Sequence, residues 1–206
     1  MLLDVQEISK AFGNQRVLDG VSLSVDSGEV VGLLGSNGAG KTTLLRIINL
    51  ILSPDSGSLY FDGKPLLQPM LRYIGYLPEE RGLYRHMAVG EQLVYLARLK
   101  GLSRTDARTA AHEWLERLGA AQWWDRHPNT LSKGMQQKVQ FATAVVHHPR
   151  LLVLDEPFSG FDADNALLLR QEIKRLSEEG TAILLSTHNL QAASDLCHRT
   201  LKIKNS

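Results

Sequence analysis

This chain has little cysteine, no long apolar run and almost no excess of charge of either sign. Its 206 residues include a single cysteine, Cys197, so no disulfide forms within the chain and a reducing compartment is expected. A net charge of +1 excludes a strong overall field for recruiting nucleic acid or an anionic membrane. No stretch approaches the ~18 consecutive apolar residues that span a bilayer, and the first ten residues lack a secretory signal. We therefore expect a cytoplasmic globular protein without a nucleic-acid partner.

Two short apolar runs predict strands that are buried on both faces. The first, VVGLL at residues 30–34, precedes a predicted helix from about Gly40 to Leu50. The second, LLVL at residues 151–154, precedes a predicted helix near Asp164–Glu179. Such strand–helix alternation is typical of an α/β core.

Between these runs the apolar residues recur with a helical period. From about Val89 to His147 they fall on single helix faces. We predict one domain, with an α/β core at 1–88 and 148–206 and an inserted helical subdomain at 89–147. The core is expected to hold a mostly parallel sheet with flanking helices, preceded by an N-terminal antiparallel β region.

A glycine-rich stretch joins the first buried strand to its helix. Residues 35–42 read GSNGAGKT, which fits the phosphate-binding pattern GxxxxGK[ST]. The glycines allow backbone N–H groups to converge on phosphate oxygens, and the helix N-terminus adds partial positive charge. An accidental glycine-rich turn is the alternative, which the strand–helix context disfavours. The predicted ATP ligands here are Ser36, Asn37, Gly38, Ala39, Gly40, Lys41, Thr42 and Thr43.

Two carboxylates end the second buried strand. Asp155 and Glu156 directly follow LLVL, and ligands of open α/β sheets bind at the carboxyl ends of strands. We therefore expect Asp155 to face a Mg²⁺ ion that the Thr42 hydroxyl also binds, with Lys41 on the β- and γ-phosphates. Glu156 is then placed to polarise the water that attacks the γ-phosphate. A polar strand end that turns into solvent is the alternative.

Further motifs narrow the choice among phosphate-binding ATPases. Residues 131–137, LSKGMQQ, resemble the LSGGQ signature of ABC ATPases, and SGFD at residues 159–162 resembles their D-loop. His188 resembles the family's switch histidine, and Phe12 falls where an aromatic ring stacks on adenine. The resemblance covers essentially the whole chain. Within the family, residues 75–84 and 131–140 look like the ATPase subunits of bacterial sodium-efflux and drug exporters.

The resemblance implies a mechanism and partners. Two nucleotide-binding subunits, identical or different, would bind ATP head to tail, with Ser132 and Gly134 of one subunit contacting the γ-phosphate on the other. His188 would sense that phosphate. Hydrolysis of MgATP would drive transport through a separate membrane-spanning permease at the inner face of the membrane, and the resemblance to the exporter branch implies that the direction is export. The stretch 81–84 would dock the permease, although a plain surface loop explains it equally well.

The sequence departs from the family pattern at three site positions. Lys133 and Met135 replace a glycine and the glutamine of the signature, and Glu79 replaces the glutamine that usually touches Mg²⁺ and the attacking water. We expect Glu79 to contact the metal in its place. The sequence also ends soon after its last predicted strand, where many relatives of this branch continue into a regulatory extension.

Two other functions compete with transport. A DNA-repair ATPase of this family would carry long coiled-coil insertions, and a translation factor would usually join two cassettes; the sequence has neither. A regulatory module with little hydrolysis is disfavoured by the intact Lys41, Asp155, Glu156 and His188. Outside the site, His147 and His148 are predicted to be surface residues at a helix end, and the tryptophans at 114, 123 and 124 to be core or partner contacts.

Overall fold

A computed structural model describes residues 1–80, 82–189 and 194–203. Within these residues, two sheets form the β structure. Four strands form an antiparallel sheet in the order β2-β1-β4-β5. Five strands form a parallel sheet in the order β6-β7-β8-β3-β9. The strands are β1 (Leu3–Phe12), β2 (Gln15–Val25), β3 (Val30–Leu34), β4 (Ser56–Phe61), β5 (Lys64–Pro65), β6 (Ile74–Leu77), β7 (Leu151–Asp155), β8 (Ala182–Thr187) and β9 (Arg199–Lys202).

The parallel sheet lies between two hydrophobic cores, because successive side chains of its strands point to opposite faces. Leu151 and Val153 of β7 pack in one core, whereas Leu152 and Leu154 pack in the other. Every residue of β7 and β8 is buried. The uninterrupted apolar runs in the sequence are the direct result of this two-sided burial.

The five α-helices of the described residues divide between the two cores. The first helix packs with the antiparallel sheet in one core, and the other four contribute to the second core. They are α1 (Lys41–Ile48), α2 (Val89–Leu99), α3 (Arg104–Arg117), α4 (Lys133–Val145) and α5 (Ala163–Glu178). Three short 3-10 helices lie at Gln68–Tyr73, Ala121–Trp123 and Pro128–Thr130. None of the helices in the described part of the chain combines the length and apolar character needed to cross a bilayer.

Helices α2, α3 and α4 follow one another between β6 and β7. Serine hydroxyls cap two of them: Ser103 accepts from the Asp106 amide at 3.1 Å, and Ser132 accepts from the Met135 amide at 3.3 Å. The buried Trp114 meets Phe141 edge to face, with ring centroids 6.0 Å apart. This packing agrees with the core role predicted for Trp114. The boundaries 89–147 for a helical subdomain stay a prediction.

The histidine pair after α4 corrects one prediction. His148 is exposed, as expected, but His147 is buried, and its Nε2 lies 3.2 Å from the Ile74 carbonyl oxygen. Burial, reinforced by the nearby charge of Lys100, lowers the pKa of His147 to about 4. Sequence spacing alone gave no sign that the chain turns His147 inward against β6.

Candidate functional site

The glycine-rich stretch forms a tight loop between β3 and α1. Gly40, which precedes the first residue of α1, has φ of 95°. A Cβ at this position would lie 2.8 Å from a methyl carbon of Leu18 and 2.9 Å from the Val17 carbonyl oxygen. Both the backbone conformation and the close approach of β2 therefore require glycine at this position.

This loop lines a cleft of about 630 Å³. The structure brings most of the predicted ATP-binding and catalytic residues together there. Glu79, which follows β6, and Glu156, which follows β7, face the loop with His188, which follows β8. Among the residues that the structure describes, the lining consists of Val17, Asn37, Gly38, Ala39, Gly40, Lys41, Thr42, Thr43, Glu79, Glu156, Ser159 and His188.

The Lys41 side chain extends across the loop and is only 7% exposed. Its Nζ donates to the carbonyl oxygens of Gly35 at 2.8 Å and Ser36 at 3.1 Å. The same nitrogen lies 3.7 Å from Oε1 of Glu156. Ser36 thus contributes to the site through its carbonyl contact with Lys41 rather than by lining the cleft. The result is a fixed positive charge at the base of the loop, suited to phosphate oxygens.

Asp155 ends β7 and is almost fully buried. Its Oδ1 accepts a hydrogen bond from the Ser186 hydroxyl at 2.6 Å. Its Oδ2 is buried and has no hydrogen-bond partner among the described residues. A buried carboxylate oxygen without a partner is costly, so this atom calls for a ligand.

The donor set around Asp155 fits a magnesium ion. Thr42 and Glu79 line the cleft, and Glu79 also lines a small adjoining cavity of about 20 Å³ together with Asp155 and Glu156. These residues offer only oxygen donors, which Mg²⁺ prefers. The unpartnered Oδ2 of Asp155 supplies the observation that supports a metal here.

Glu156 sits on an unusual backbone. Its φ of 48° is left-handed, a conformation that costs a non-glycine residue about 1 kcal/mol or more. Its amide donates to the Ser186 hydroxyl at 2.9 Å. Nδ1 of His188 lies 3.0 Å from Glu156 Oε1, but the alignment of the two groups is not that of a hydrogen bond. The pair therefore interacts chiefly through charge when the histidine is protonated.

The loop that carries Glu79 is anchored from the signature helix. Nε2 of Gln140, a buried residue of α4, donates to the carbonyl oxygens of Pro78 at 3.1 Å and Glu80 at 2.9 Å. Glu80 itself points outward and forms a surface ion pair with Arg46 at 3.7 Å. Glu79 and Glu80 therefore occupy different environments although they are adjacent.

Three predicted ligands lie elsewhere. Phe12 is 51% exposed and lies outside the cleft lining, where Val17 of β2 contributes instead. Ser132 is exposed at the N-terminus of α4. A Cβ added to Gly134, two residues further on, would lie 3.8 Å from the Asn165 side chain. Neither Ser132 nor Gly134 lines this chain's own cleft.

Sequence reasoning missed several contributors. No sequence motif pointed to Val17, because this residue reaches the cleft only through the position of β2 beside the loop. Ser186 and Gln140 gave none either, since their roles depend on contacts with residues 31 and 60 or more positions away. Ser159 stood at the start of the D-loop motif, which identified its segment but not its place in the cleft.

Comparison with known protein families identifies the chain. A family described as "ABC transporter" matches residues 18–159. A second description, "AAA domain, putative AbiEii toxin, Type IV TA system", matches residues 125–194. The first match covers most of the chain and includes the glycine-rich loop, the signature-like stretch and the acidic pair.

Relatives support the same family. An uncharacterized ABC transporter ATP-binding protein of Bacillus subtilis, YhaQ, is 45% identical over 95% of this chain and 66% of its own length. The ABC transporter ATP-binding protein NatA of the same organism is 39% identical over 89% of this chain and 76% of its own length. The lipopolysaccharide export system ATP-binding protein LptB of Escherichia coli is 34% identical over 96% and 84%. The chain thus spans about two thirds of YhaQ and more of the other two.

Solved structures share the fold. The structure of an ATP-binding subunit of an ABC transporter superposes with a TM-score of 0.92 at 33% identity, covering 100% of this chain and 87% of the other. The dimeric structure of a bacterial ABC transporter cassette gives 0.91 at 26% identity, covering 98% and 94%. The predicted α/β fold with parallel and antiparallel sheets is confirmed, and the chain belongs to the ABC transporter ATP-binding proteins, a family of P-loop ATPases.

Proposed function

We propose that this chain binds MgATP in the cleft beside α1 and hydrolyses it to power transport through a separate membrane-spanning permease. The observation that carries this proposal is the convergence of Lys41, Glu79, Glu156 and His188 on one cleft around the glycine-rich loop. An isolated phosphate-binding loop would explain binding alone. The carboxylates of Asp155, which ends β7, and of Glu156, which follows it, add the groups that hydrolysis needs.

Each residue has a role that follows from its position. The loop amides and Lys41 bind and orient the phosphates, with the lysine acting as a point charge. Thr42, Asp155 and Glu79 would hold the magnesium ion, which neutralises phosphate charge when bound. Glu156 orients the attacking water and accepts its proton at a carboxylate oxygen. His188, next to Glu156 and 59% exposed at the cleft, would contact the γ-phosphate.

The position of the signature residues supports a two-subunit site. Ser132 and Gly134 lie at the N-terminus of α4, where free amides favour an anion, yet they do not line this chain's cleft. A second copy or a related subunit, docked head to tail, would bring its own Ser132 and Gly134 to the exposed side of the bound ATP. One structurally similar cassette is described as dimeric, in line with this arrangement.

The permease would dock beside the Glu79 loop. Arg81 lies outside the described residues. Tyr84, half exposed, packs edge to face on Tyr95 with centroids 6.2 Å apart. Next to it, a groove of about 280 Å³ is lined by Leu83, Arg85, Pro128, Asn129 and Gln136. An exposed aromatic pair beside a groove suits a short helix from a partner.

We further propose that the transporter is an exporter and that this chain works at the cytoplasmic face of the membrane. The name of one relative, LptB, describes an export system. The resemblance of residues 75–84 to the sodium-efflux and drug-export branch also supports export. The substrate is not specified by any residue of the ATP site.

The test is purification from detergent-solubilised membranes with a tag on this chain. A multi-spanning membrane protein should co-purify in fixed stoichiometry and stimulate MgATP hydrolysis, whereas Lys41→Ala should retain the partner but hydrolyse no ATP. Association with ribosomes or DNA in place of a membrane protein would overturn the transport assignment. Uptake of the transported compound into inside-out vesicles, on addition of MgATP, would identify export.

A further inference from the structure

One buried hydroxyl contacts both carboxylate residues of the proposed catalytic centre. Ser186 lies in β8 and is fully buried. Its hydroxyl donates to Oδ1 of Asp155 at 2.6 Å and accepts from the amide of Glu156 at 2.9 Å. Asp155 and Ser186 are direct neighbours in the parallel pairing of β7 with β8. The donor and the acceptor capacity of a single serine are thus both used.

The bond to Asp155 fixes the direction of its second oxygen. An O–H donor at 2.6 Å from a carboxylate is a short, charge-assisted hydrogen bond, stronger than a neutral one. It holds Oδ1 against β8 and restricts rotation of the carboxylate. Oδ2 is then left buried and without a hydrogen-bond partner in the described structure. Ser186 therefore selects which oxygen of Asp155 remains available for a cation.

The bond to Glu156 acts on the backbone instead. The left-handed backbone of Glu156, with φ of 48°, is unfavourable for a residue with a side chain. An amide that leaves the β7 ladder at this bend needs an acceptor, and the Ser186 hydroxyl supplies one. The bend directs the Glu156 carboxylate toward Lys41 and His188, at 3.7 Å and 3.0 Å respectively.

We propose that Ser186 is a positioning residue for hydrolysis, which sets the orientation of the metal-binding oxygen of Asp155 and the backbone bend that aims Glu156. The proposal rests on the roles assigned above to those two carboxylates. Ser186 is fully buried and does not line the cleft, so it acts through its neighbours. Its loss should therefore leave ATP binding by the loop intact while impairing metal binding and turnover.

The experiment compares three variants of the full chain. Ser186→Ala removes the hydroxyl, and Ser186→Thr retains it on a residue that strands accept. Ser177→Ala is the matched control, since the buried hydroxyl of Ser177 bonds to the Gly28 carbonyl at 2.7 Å and does not line the cleft. Four quantities are measured for each: kcat for MgATP, KM for MgATP, the affinity for Mn²⁺ by electron paramagnetic resonance with ADP present, and the melting temperature.

We expect Ser186→Ala to lower kcat at least tenfold, to change KM less than threefold, and to weaken Mn²⁺ binding at least threefold. Ser186→Thr should recover most of both losses, and Ser177→Ala should match the wild type in both. A Ser186→Ala variant with kcat and Mn²⁺ affinity within twofold of the wild type would overturn the proposal. So would equal losses in Ser186→Ala and Ser177→Ala, or a folded Ser186→Thr that recovers neither quantity.

Two additions keep the result interpretable. If Ser186→Ala does not fold, Ser186→Cys takes its place, because a thiol has similar size but is a weak donor and acceptor. Glu156→Gln is assayed in parallel. If Glu156→Gln hydrolyses ATP at the wild-type rate, the proposed role of Glu156 is wrong, and the Mn²⁺ affinity of Ser186→Ala still reports on the Asp155 contact by itself.

Discussion

Nζ of Lys41 lies 3.7 Å from Oε1 of Glu156, and both side chains are almost entirely buried, at 7% and 11% exposed. The residue assigned to the phosphates and the residue assigned to the attacking water are therefore neighbours in a poorly solvated place. Charges at this distance interact more strongly there than at an exposed surface. A substitution at either position changes the electrostatics of the other, so binding and turnover have to be measured separately.

Lys41→Ala should weaken ATP binding by roughly 2 kcal/mol or more, about thirtyfold in affinity, because the phosphates lose a charged hydrogen-bond donor. Isothermal titration calorimetry with ATP measures the change. Lys64→Ala, at an exposed residue of β5, is the control and should bind normally. Unchanged affinity in Lys41→Ala would mean that the loop does not hold the phosphates.

Glu156→Gln should bind MgATP but hydrolyse it at least a hundredfold more slowly, because the amide retains the shape and loses the base. The variant should also accumulate as an ATP-dependent dimer if ATP lies between two subunits. Size-exclusion chromatography with and without ATP, together with a phosphate-release assay, measures both effects. A monomer with normal turnover contradicts both the catalytic role and the two-subunit site.

Glu79→Gln should retain ATP binding and hydrolysis but change their dependence on Mg²⁺ concentration and pH, since both side chains offer an oxygen and only glutamate is charged. Glu79→Ala should do more harm, and with the permease present it should uncouple hydrolysis from transport more than it weakens binding. ATPase rates across Mg²⁺ concentration and pH are the measurement. Glu80→Gln is the control, because Glu80 pairs with Arg46 at the surface. If the wild type and both Glu79 variants gave the same Mg²⁺ and pH profiles, Glu79 would not act in the site.

His147 should make the stability of the protein depend on pH. Burial lowers the pKa of His147 from an ordinary 6.5 to about 4, and Nδ1 is buried without a hydrogen-bond partner in the described residues. The folded protein therefore favours the neutral ring, and the unfolded chain takes up the proton first as the pH falls. The stabilisation is complete above pH 6.5 and is lost as the pH falls toward 4, by roughly 2 kcal/mol between pH 7 and pH 5.

Urea denaturation of His147→Gln at pH 7 and pH 5 tests this effect. The difference in unfolding free energy between the two pH values should shrink by about 2 kcal/mol relative to wild type. His148→Gln, at the exposed neighbour, should keep the wild-type difference. An unchanged pH dependence in His147→Gln would show that the ring is already protonated or solvated in the folded protein.

Local patterns in the sequence were sufficient to predict the fold class and the family. The loop at residues 35–42 and the strand before Asp155 are each contiguous and follow directly from local rules, and the match to the ABC transporter family confirms the resemblance drawn from them. Contacts between segments distant in the sequence could not be predicted in this way. The Ser186 hydroxyl meets Asp155 only because β7 and β8 pair in one register, and His147 faces inward only because α4 ends against β6.

Phe12 marks the limit of inference by motif position. The sequence placed an aromatic residue where the family stacks adenine, but the ring lies half exposed with Lys10 Nζ 5.7 Å above it. Its contact with a nucleotide stays a prediction. The orientation of an exposed side chain at a strand end is governed by solvent and neighbouring charges, which a motif does not encode.

The order of strands in the parallel sheet has a consequence for biosynthesis. β3 leads into the glycine-rich loop, and its two neighbours, β8 and β9, begin about 150 and 170 residues further along the chain. During translation the apolar strand β3 therefore lacks both of its native neighbours until β8 and β9 have left the ribosome. Closing such distant pairs is slow, and an unpaired apolar strand is prone to aggregate. The nascent chain is consequently expected to need chaperone protection until β8 and β9 have emerged, and to complete the nucleotide site only then.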